Sequence, residues 1–402
     1  MRKILAPLLG AVVLGLSAPA GASGFLIYDL SGEGMGRGSA VSADISEPSA
    51  VWFNPAALAY LEGVNVSLGA VYVTSRARFV ADADGSETRS ERGHHFIPTL
   101  YGHAALSERV SIGIGVYSAF GIGIAWPNDW IGREATIEAS LKTLDFNPTV
   151  AVRLSRKASL AVGFNAVRGT VDFTNGLPEP VGGSVRLGGA TTGYGSNAGL
   201  LLRLAPDRFH LAATYRSQVQ LDFDGRADFE PGSPDFGRSL PDEPGTASIT
   251  LPDILTFGVM GRPHENLALT LDANVVFWQR YDRIDIDFDS APDQAIVSNG
   301  HTTVTLRAGA DYRLPHGFHA RGGFIYDRGA IPEENLGPAL PDADRVDVTF
   351  GLGYTTSRLD VDLGYMIVKF LASESTTGHE GPEGTYHTLA HLLGLSVGTS
   401  FR

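Results

Sequence analysis

Thr143-Leu144-Asp145-Phe146-Asn147-Pro148-Thr149-Val150-Ala151-Val152-Arg153-Leu154 alternates from end to end. Leu144, Phe146, Pro148, Val150, Val152 and Leu154 fall on one face, with Thr143, Asp145, Asn147, Thr149, Ala151 and Arg153 on the other. A period of two marks a β-strand with one apolar side. The pattern recurs at Leu267–Phe277, Val304–Tyr312, Val346–Tyr354 and Leu359–Ile367, where charges such as Asp272, Arg307, Asp311, Asp347 and Asp362 hold the opposite face. These runs are about 10–14 residues long, against about 5–6 in soluble sheets. A tilted strand of about 9–11 residues is what crosses a bilayer.

The connections sort themselves as well. Ser107–Arg109, Ser155–Ala158, Ala205–Arg208, Arg262–Asn266, Pro315–Gly317 and Thr355–Arg358 are short polar turns. Between them lie long stretches rich in Pro, Gly and Asp at 75–95, 120–139, 174–189, 224–246, 282–301, 328–344 and 371–386. Short and long alternate throughout, as they do when every second connection lies on the same side of a membrane barrel. A soluble sandwich has no reason to sort its loops. The sequence therefore predicts an all-β, transmembrane antiparallel β-barrel of about fourteen strands. Closure follows from physics, because hydrocarbon leaves no unpaired backbone group tolerable. Trp278, Tyr281, Tyr312, Tyr326, Tyr354 and Tyr365, near strand ends, are expected in aromatic girdles.

The leading residues have a different character. Arg2 and Lys3 precede an apolar run, Ile4–Leu16, and Ala20-Gly21-Ala22 places small residues before Ser23. That reads as a signal peptide, 1–22, cleaved before Ser23, with Ala18-Pro19-Ala20 as a second candidate. Cleavage moves the formal charge from −13 to −15. An acidic chain without basic clusters is a poor nucleic-acid partner, and the absence of cysteine suits an envelope protein without disulfides. Residues 23–62 do not alternate. A Gly-rich stretch, Ser31–Gly38, runs into an expected helix over Gly36–Ser42, then Trp52-Phe53-Asn54-Pro55-Ala56. This segment is either a periplasmic tail or a plug in the lumen, with the barrel occupying 63–402.

Gly24-Phe25, the glycine stretch and Asn54-Pro55-Ala56 resemble the FadL/TodX family of outer-membrane transporters of long-chain fatty acids and aromatic hydrocarbons. The resemblance continues, in order, through Phe120-Gly121 to Trp130, Gly163–Val167, Tyr215-Arg216-Ser217, Leu251-Pro252-Asp253, Pro332, Asn335 and Pro341-Asp342 to Arg345. It implies a monomeric fourteen-stranded barrel whose lumen is stoppered by an N-terminal hatch, 23–62. It also implies passive uptake, most simply of fatty acids, through loop capture, a lumen pocket and a sideways exit near the third strand. Outer-membrane lipid, lipopolysaccharide and the barrel assembly machinery are the implied partners, although Phe401 is followed by Arg402 rather than ending the chain. No cofactor or metal is implied.

Candidate residues follow. Phe120, Ile122, Ile124, Trp126, Trp130 and Ile131 form an apolar stretch in an expected loop, which either binds ligand or packs on its neighbours. Asn54, Pro55 and Ala56 are expected to fix the hatch turn, and Phe25 to enter the pocket. Arg153, Arg168, Arg307 and Arg321 are candidate lumen partners for a carboxylate, or, for Arg307 and Arg153, pair with Asp311 and Asp145. His387 and His391 lie on a strand and carry no zinc signature. His94-His95 reads as solvated loop, and the 224–246 stretch as a solvated acidic face, bridged to lipopolysaccharide if it binds divalent cations. An outer-membrane lipase and an open porin are the competing classes, separable by ester hydrolysis and by ion conductance.

Overall fold

A computed structural model describes residues 24–232, 242–288, 294–376 and 381–401. The expected signal peptide and Arg402 lie outside them. Fourteen long antiparallel strands form one sheet that closes on itself. β1 is Val64–Ala81, β2 Gly93–Ala105, and β3 Val110–Tyr117, resuming as Gly121–Ala125. β4 is Glu138–Arg153, β5 Ala158–Gly176, β6 Gly183–Ala205, and β7 Phe209–Arg216, resuming as Val219–Pro231. β8 is Glu243–Leu251 with Ile254–His264, β9 Leu267–Phe277 with Arg283–Phe288, and β10 Gln294–Val297 with Thr302–Arg313. β11 is Phe318–Asp327, β12 Arg345–Thr355, β13 Leu359–Phe370 and β14 Gly384–Phe401. Val64 pairs with Phe401 and Ala81 with Gly384, which closes the ring.

The alternation places side chains as it should. Leu144, Phe146 and Val150 are exposed on the outside, while Thr143, Asp145, Asn147 and Thr149 are buried within. The strands run further than the sequence suggested. β5 and β6 are joined through 177–182 alone, and β7 continues to Pro231, so much of the expected outer loops is sheet projecting above the membrane. The acidic 224–246 stretch is in part this extension of β7 and β8.

Residues Gly24–Leu61 lie inside the ring. Ser31 caps a short helix, α1 (Gly32–Gly36), by accepting from Gly34 N at 2.9 Å. The helix thus starts earlier than the expected Gly36–Ser42 and stops before Gly38, which takes φ +62°. Two further turns, α2 (Ala50–Phe53) and a 3₁₀ turn over Pro55–Tyr60, bring the chain to β1. The fit rests on backbone-to-backbone approach. A Cβ on Gly351 would sit 2.7 Å from Gly36 Cα, and one on Gly323 would sit 2.3 Å from Gly38 N. Only glycine allows such contact.

Buried ion pairs brace the segment within itself, through Arg37, and tie it to the wall, through Arg307. Arg37 donates to Glu33 at 3.1 Å and to Asp44 at 2.9 Å, and Arg307 lies 3.5 Å from Asp29. Ser42 N donates to Asp272 at 3.0 Å, and Arg307 stacks on Tyr28 at 4.5 Å. Where such charges are buried each needs a partner, since removing one leaves the other uncompensated.

Candidate ligand site and wall gap

Among the described residues, the ring has a weak place in its third strand. β2 pairs with β1 from Gly93 to Ala104, but with β3 only from Leu100 to Ala105. Past the break at Ser118–Phe120, Gly121–Ala125 pairs with β4 alone. Between Gly93–Thr99 and Gly121–Ala125 no ladder joins the two strands. Leu100 opposite Val116 closes the gap below, and Glu91 N, donating to Ala125 O at 2.8 Å, closes it above.

Backbone groups freed by the break are taken up by the N-terminal segment. Ile27 N donates to Ala119 O at 2.8 Å and Gly121 N to Phe25 O at 3.0 Å, framing a bridge between Leu26 and Phe120. Phe25 is 4 % exposed and meets Trp278 at 4.9 Å, Tyr281 at 5.1 Å and Phe120 at 6.0 Å, each edge-on. Gly24 N donates to Asp342 Oδ2 at 3.3 Å, and Ala330 N and Ile331 N donate to the same oxygen. Burial pushes the Asp342 carboxyl up to about 7; the nearby Asp327 charge adds to the rise and Arg345 opposes it.

A cavity of about 600 Å³ lies behind the gap, within the range of about 300–1,000 Å³ usual for small-molecule sites. Phe25, Phe120, Ile122 and Ile124 form one side, Met366, Val368 and Leu392 the other, and Phe96, Pro98 and Leu144 its outer mouth. A second cavity of about 400 Å³ sits among the projecting strands, lined by Phe173, Phe223, Ile249, Tyr281 and Ile284. Ile122, Ala339 and Leu340 line both, so the two chambers abut.

The expected site residues divide. Phe25, Phe120, Ile122 and Ile124 line the inner cavity, although Gly121–Ala125 is strand rather than loop. Trp126 and Trp130 stack on each other at 4.5 Å, are buried, and donate to Pro338 O and Thr136 O; they pack the loop and line neither cavity. Ile131 is exposed on the loop surface. Trp278 and Tyr281 are not girdle residues but buried partners of Phe25, because a 3₁₀ turn after Phe277 swings them inward. Asn54 donates to Ser42 O at 2.8 Å and accepts from Ala56 N at 3.1 Å, while Pro55 opens the 3₁₀ turn and Ser159 donates to Ala56 O.

None of the four candidate arginines reaches either cavity. Arg168 faces outward beside Thr192, because the inward place on β5 belongs to Val167. Arg153 donates to Glu108 O at the turn end of its strand rather than meeting Asp145. Arg307 braces Asp29 instead of Asp311, and Arg321 holds Asp311 at 2.8 Å together with Asp362. The ionisable cavity residues are others: Asp29, Asp342, Asp347 and Arg345 within, with Glu91, Lys142, His94 and His95 near the mouth. Arg345 is bound to Asp327 at 2.7 Å and lies 3.7 Å from Asp347. His94-His95 is strand, not solvated loop: Tyr72 Oη meets His94 Nδ1 at 2.5 Å, and the His95 ring lies against Gly123. The far wall, Met366, Val368 and Leu392, was signalled by β13 and β14 being apolar on both faces at Tyr365–Val368 and Leu389–Leu393.

A model of the outer membrane protein transport protein family (OMPP1/FadL/TodX) matches residues 13–401. Outer membrane protein P1 of Haemophilus influenzae is 26% identical over 467 residues, covering 100% of both chains. The long-chain fatty acid transport protein of Escherichia coli K12 is 23% identical over 421 residues, covering 93% of each. Among solved structures, a Pseudomonas aeruginosa FadL homologue superposes with a TM-score of 0.86 at 18% identity, covering 94% of this chain and 100% of that one. The P. putida toluene transporter TodX gives 0.71 at 17% identity, over 96% and 100%. At these identities the structures share the fold.

Proposed function

Because the chain belongs to the OMPP1/FadL/TodX family and is an outer-membrane transporter of hydrophobic compounds, we propose that its substrates are long-chain fatty acids, taken up without an energy source. The observation that carries this is the unladdered gap beside β3, where an apolar cavity meets the bilayer instead of the periplasm. An open water-filled pore offers an apolar solute no favourable partition, whereas apolar chambers do. On this reading the outer chamber collects the ligand and the inner one holds it. The N-terminal segment, 23–62, acts as the hatch. Displacing Leu26 from Phe120 frees the path, and the chain leaves sideways between Phe96 and Leu144. Asn54, Pro55 and Ala56 keep the segment's far end fixed while its first residues move. Lys142, at the rim, is the group that faces a departing carboxylate.

One observation favours a neutral hydrocarbon instead. Inside the cavity Arg345 already serves Asp327 and Asp347, and the other two ionisable groups there, Asp29 and Asp342, are carboxyls that offer a carboxylate no counter-ion. Calorimetry on the purified protein in detergent, comparing oleate with toluene, decides between them. Tighter binding of oleate, weakened by Lys142→Gln, supports the fatty-acid reading; binding of toluene alone refutes it. Low conductance in planar bilayers is expected of a filled lumen, and porin-like conductance would overturn the hatch. Ester hydrolysis by the purified barrel would move it to the lipase class.

A further inference from the structure

On the lipid-facing side of the wall, below the gap, lies a shallow apolar groove of about 830 Å³. Its central row crosses five strands as Val66, Gly102, Ile114, Pro148 and Phe164, with Ala104 beneath Gly102 on β2. Side-chain size makes the hollow. Gly102 has no side chain and Ala104 only a methyl, while Phe164 stands 49% exposed at the edge. A Cβ on Gly102 would meet only Ile114 Cγ2, at 3.1 Å, so the space above it opens to the bilayer.

The groove continues the path out of the gap. Pro98, Ser118 and Leu144 line the cavity mouth on β2, β3 and β4. On the same three outward columns the groove begins at Gly102, Ile114 and Pro148. A single row, Leu100, Val116 and Phe146, separates them. At roughly 3.3 Å per residue the mouth row and the groove row are about 13 Å apart. A long acyl chain emerging tail-first reaches the groove while its head is still in the gap. The groove also sits beside the short turns joining β2 to β3 and β4 to β5, toward the periplasmic leaflet.

We propose that this groove is a second binding site, for the hydrocarbon tail of the transported amphiphile, which it receives outside the barrel and directs into the periplasmic leaflet. The proposal rests on reading the gap as the exit. The surrounding lipid is as apolar as the protein, so hydrophobic burial gives no preference. Preference comes from dispersion contact with a preformed hollow on several sides and from the head group still held at the gap.

The test is photolabelling of cells expressing the full chain, with hexadecanoic acid carrying a tail diazirine, followed by peptide mapping. Adducts are expected in the cavity, near Phe120–Ile124, and in the groove, near Gly102–Ile114. Groove labelling should exceed that at Phe350 and Leu352, outward residues on β12. Equal labelling at both outer sites, or adducts confined to the cavity, overturns the groove and leaves the uptake reading standing. Adducts at neither place sink the uptake reading itself. In parallel, Gly102→Leu with Ala104→Phe fills the hollow with outward side chains. Uptake should fall several-fold as the tail loses its dispersion contacts with the hollow, while diazirine adducts in the inner cavity, near Phe120–Ile124, persist. Wild-type uptake by that variant refutes the proposal.

Discussion

Replacing Phe25 by alanine tests what holds the leading residues across the wall gap. The ring is buried and packs edge-on against Trp278, Tyr281 and Phe120. Buried Phe→Ala changes cost about 3–5 kcal/mol, and each aromatic contact carries about 0.5–1.5 kcal/mol of its own. The barrel does not depend on this ring, since its closing ladder runs from Val64–Phe401 to Ala81–Gly384. The loss therefore falls on local opening of the Leu26–Phe120 bridge. Taking about 3 kcal/mol, opening becomes about a hundredfold more frequent. Hydrogen exchange by mass spectrometry, in detergent at fixed pH, reads it at the Ile27 and Gly121 amides, with amides of β1 as the internal standard. Unchanged exchange at Ile27 and Gly121 would refute the claim that the aromatic cluster latches the segment. Equal acceleration throughout β1 would show that the ring supports the whole barrel.

Three further outcomes are expected. Asp342, about 7 when folded against about 3.9 in an unfolded chain, keeps its proton longer in the folded loop. Its contribution is therefore complete below about pH 4 and lost as pH rises to about 7; protection of Gly24 and Ile331 amides should weaken over that window, and Asp342→Asn should flatten the profile. Arg321→Ala leaves Asp362 without its arginine and Asp311 with His319 at 2.8 Å and should cost about 3 kcal/mol, read as a lower urea midpoint for the folded band on semi-native gels. Adding Asp311→Asn and Asp362→Asn should restore most of it, and failure to do so would show that charge is not the cause. Asn54→Ala removes a turn-capping acceptor and leaves Ser42 O without its donor, costing about 1–3 kcal/mol. Faster exchange should be confined to the Asn54–Tyr60 turn and its neighbours; exchange there at the wild-type rate would contradict the assignment.

The barrel was legible because alternation is a direct print of a sheet with lipid on one side. It was legible even at Arg168, where Phe164 and Val162 fix the outward phase; the charge drew the residue inward in the reading although the period did not. The ends of strands were hidden for a related reason. Above the membrane the outward face of β7 is charged instead of apolar, Asp222, Asp224 and Arg226 alternating with buried Phe223 and Ala227, so the Asp- and Gly-rich composition reads as loop although the period of two persists. Trp278 and Tyr281 were misplaced because a three-residue turn reverses the facing rule at that point. The path of Gly24–Leu61 was beyond local reading, since its partners, such as Gly351, Gly323, Asp272 and Asp342, are hundreds of residues away and several contacts are backbone to backbone. The sequence signal for the cavity's far wall was the loss of alternation at Tyr365–Val368 and Leu389–Leu393, where strands greasy on both sides have two apolar neighbours to satisfy.

The glycine contacts between Gly36 and Gly351, and between Gly38 and Gly323, have a bearing on biogenesis. With backbone resting on backbone there is no clearance for a folded turn to be threaded past those strands afterwards. Those strands and the leading segment are therefore expected to reach their final fit together, and a methyl at Gly351 or Gly323 should be felt when the barrel is assembled around its contents.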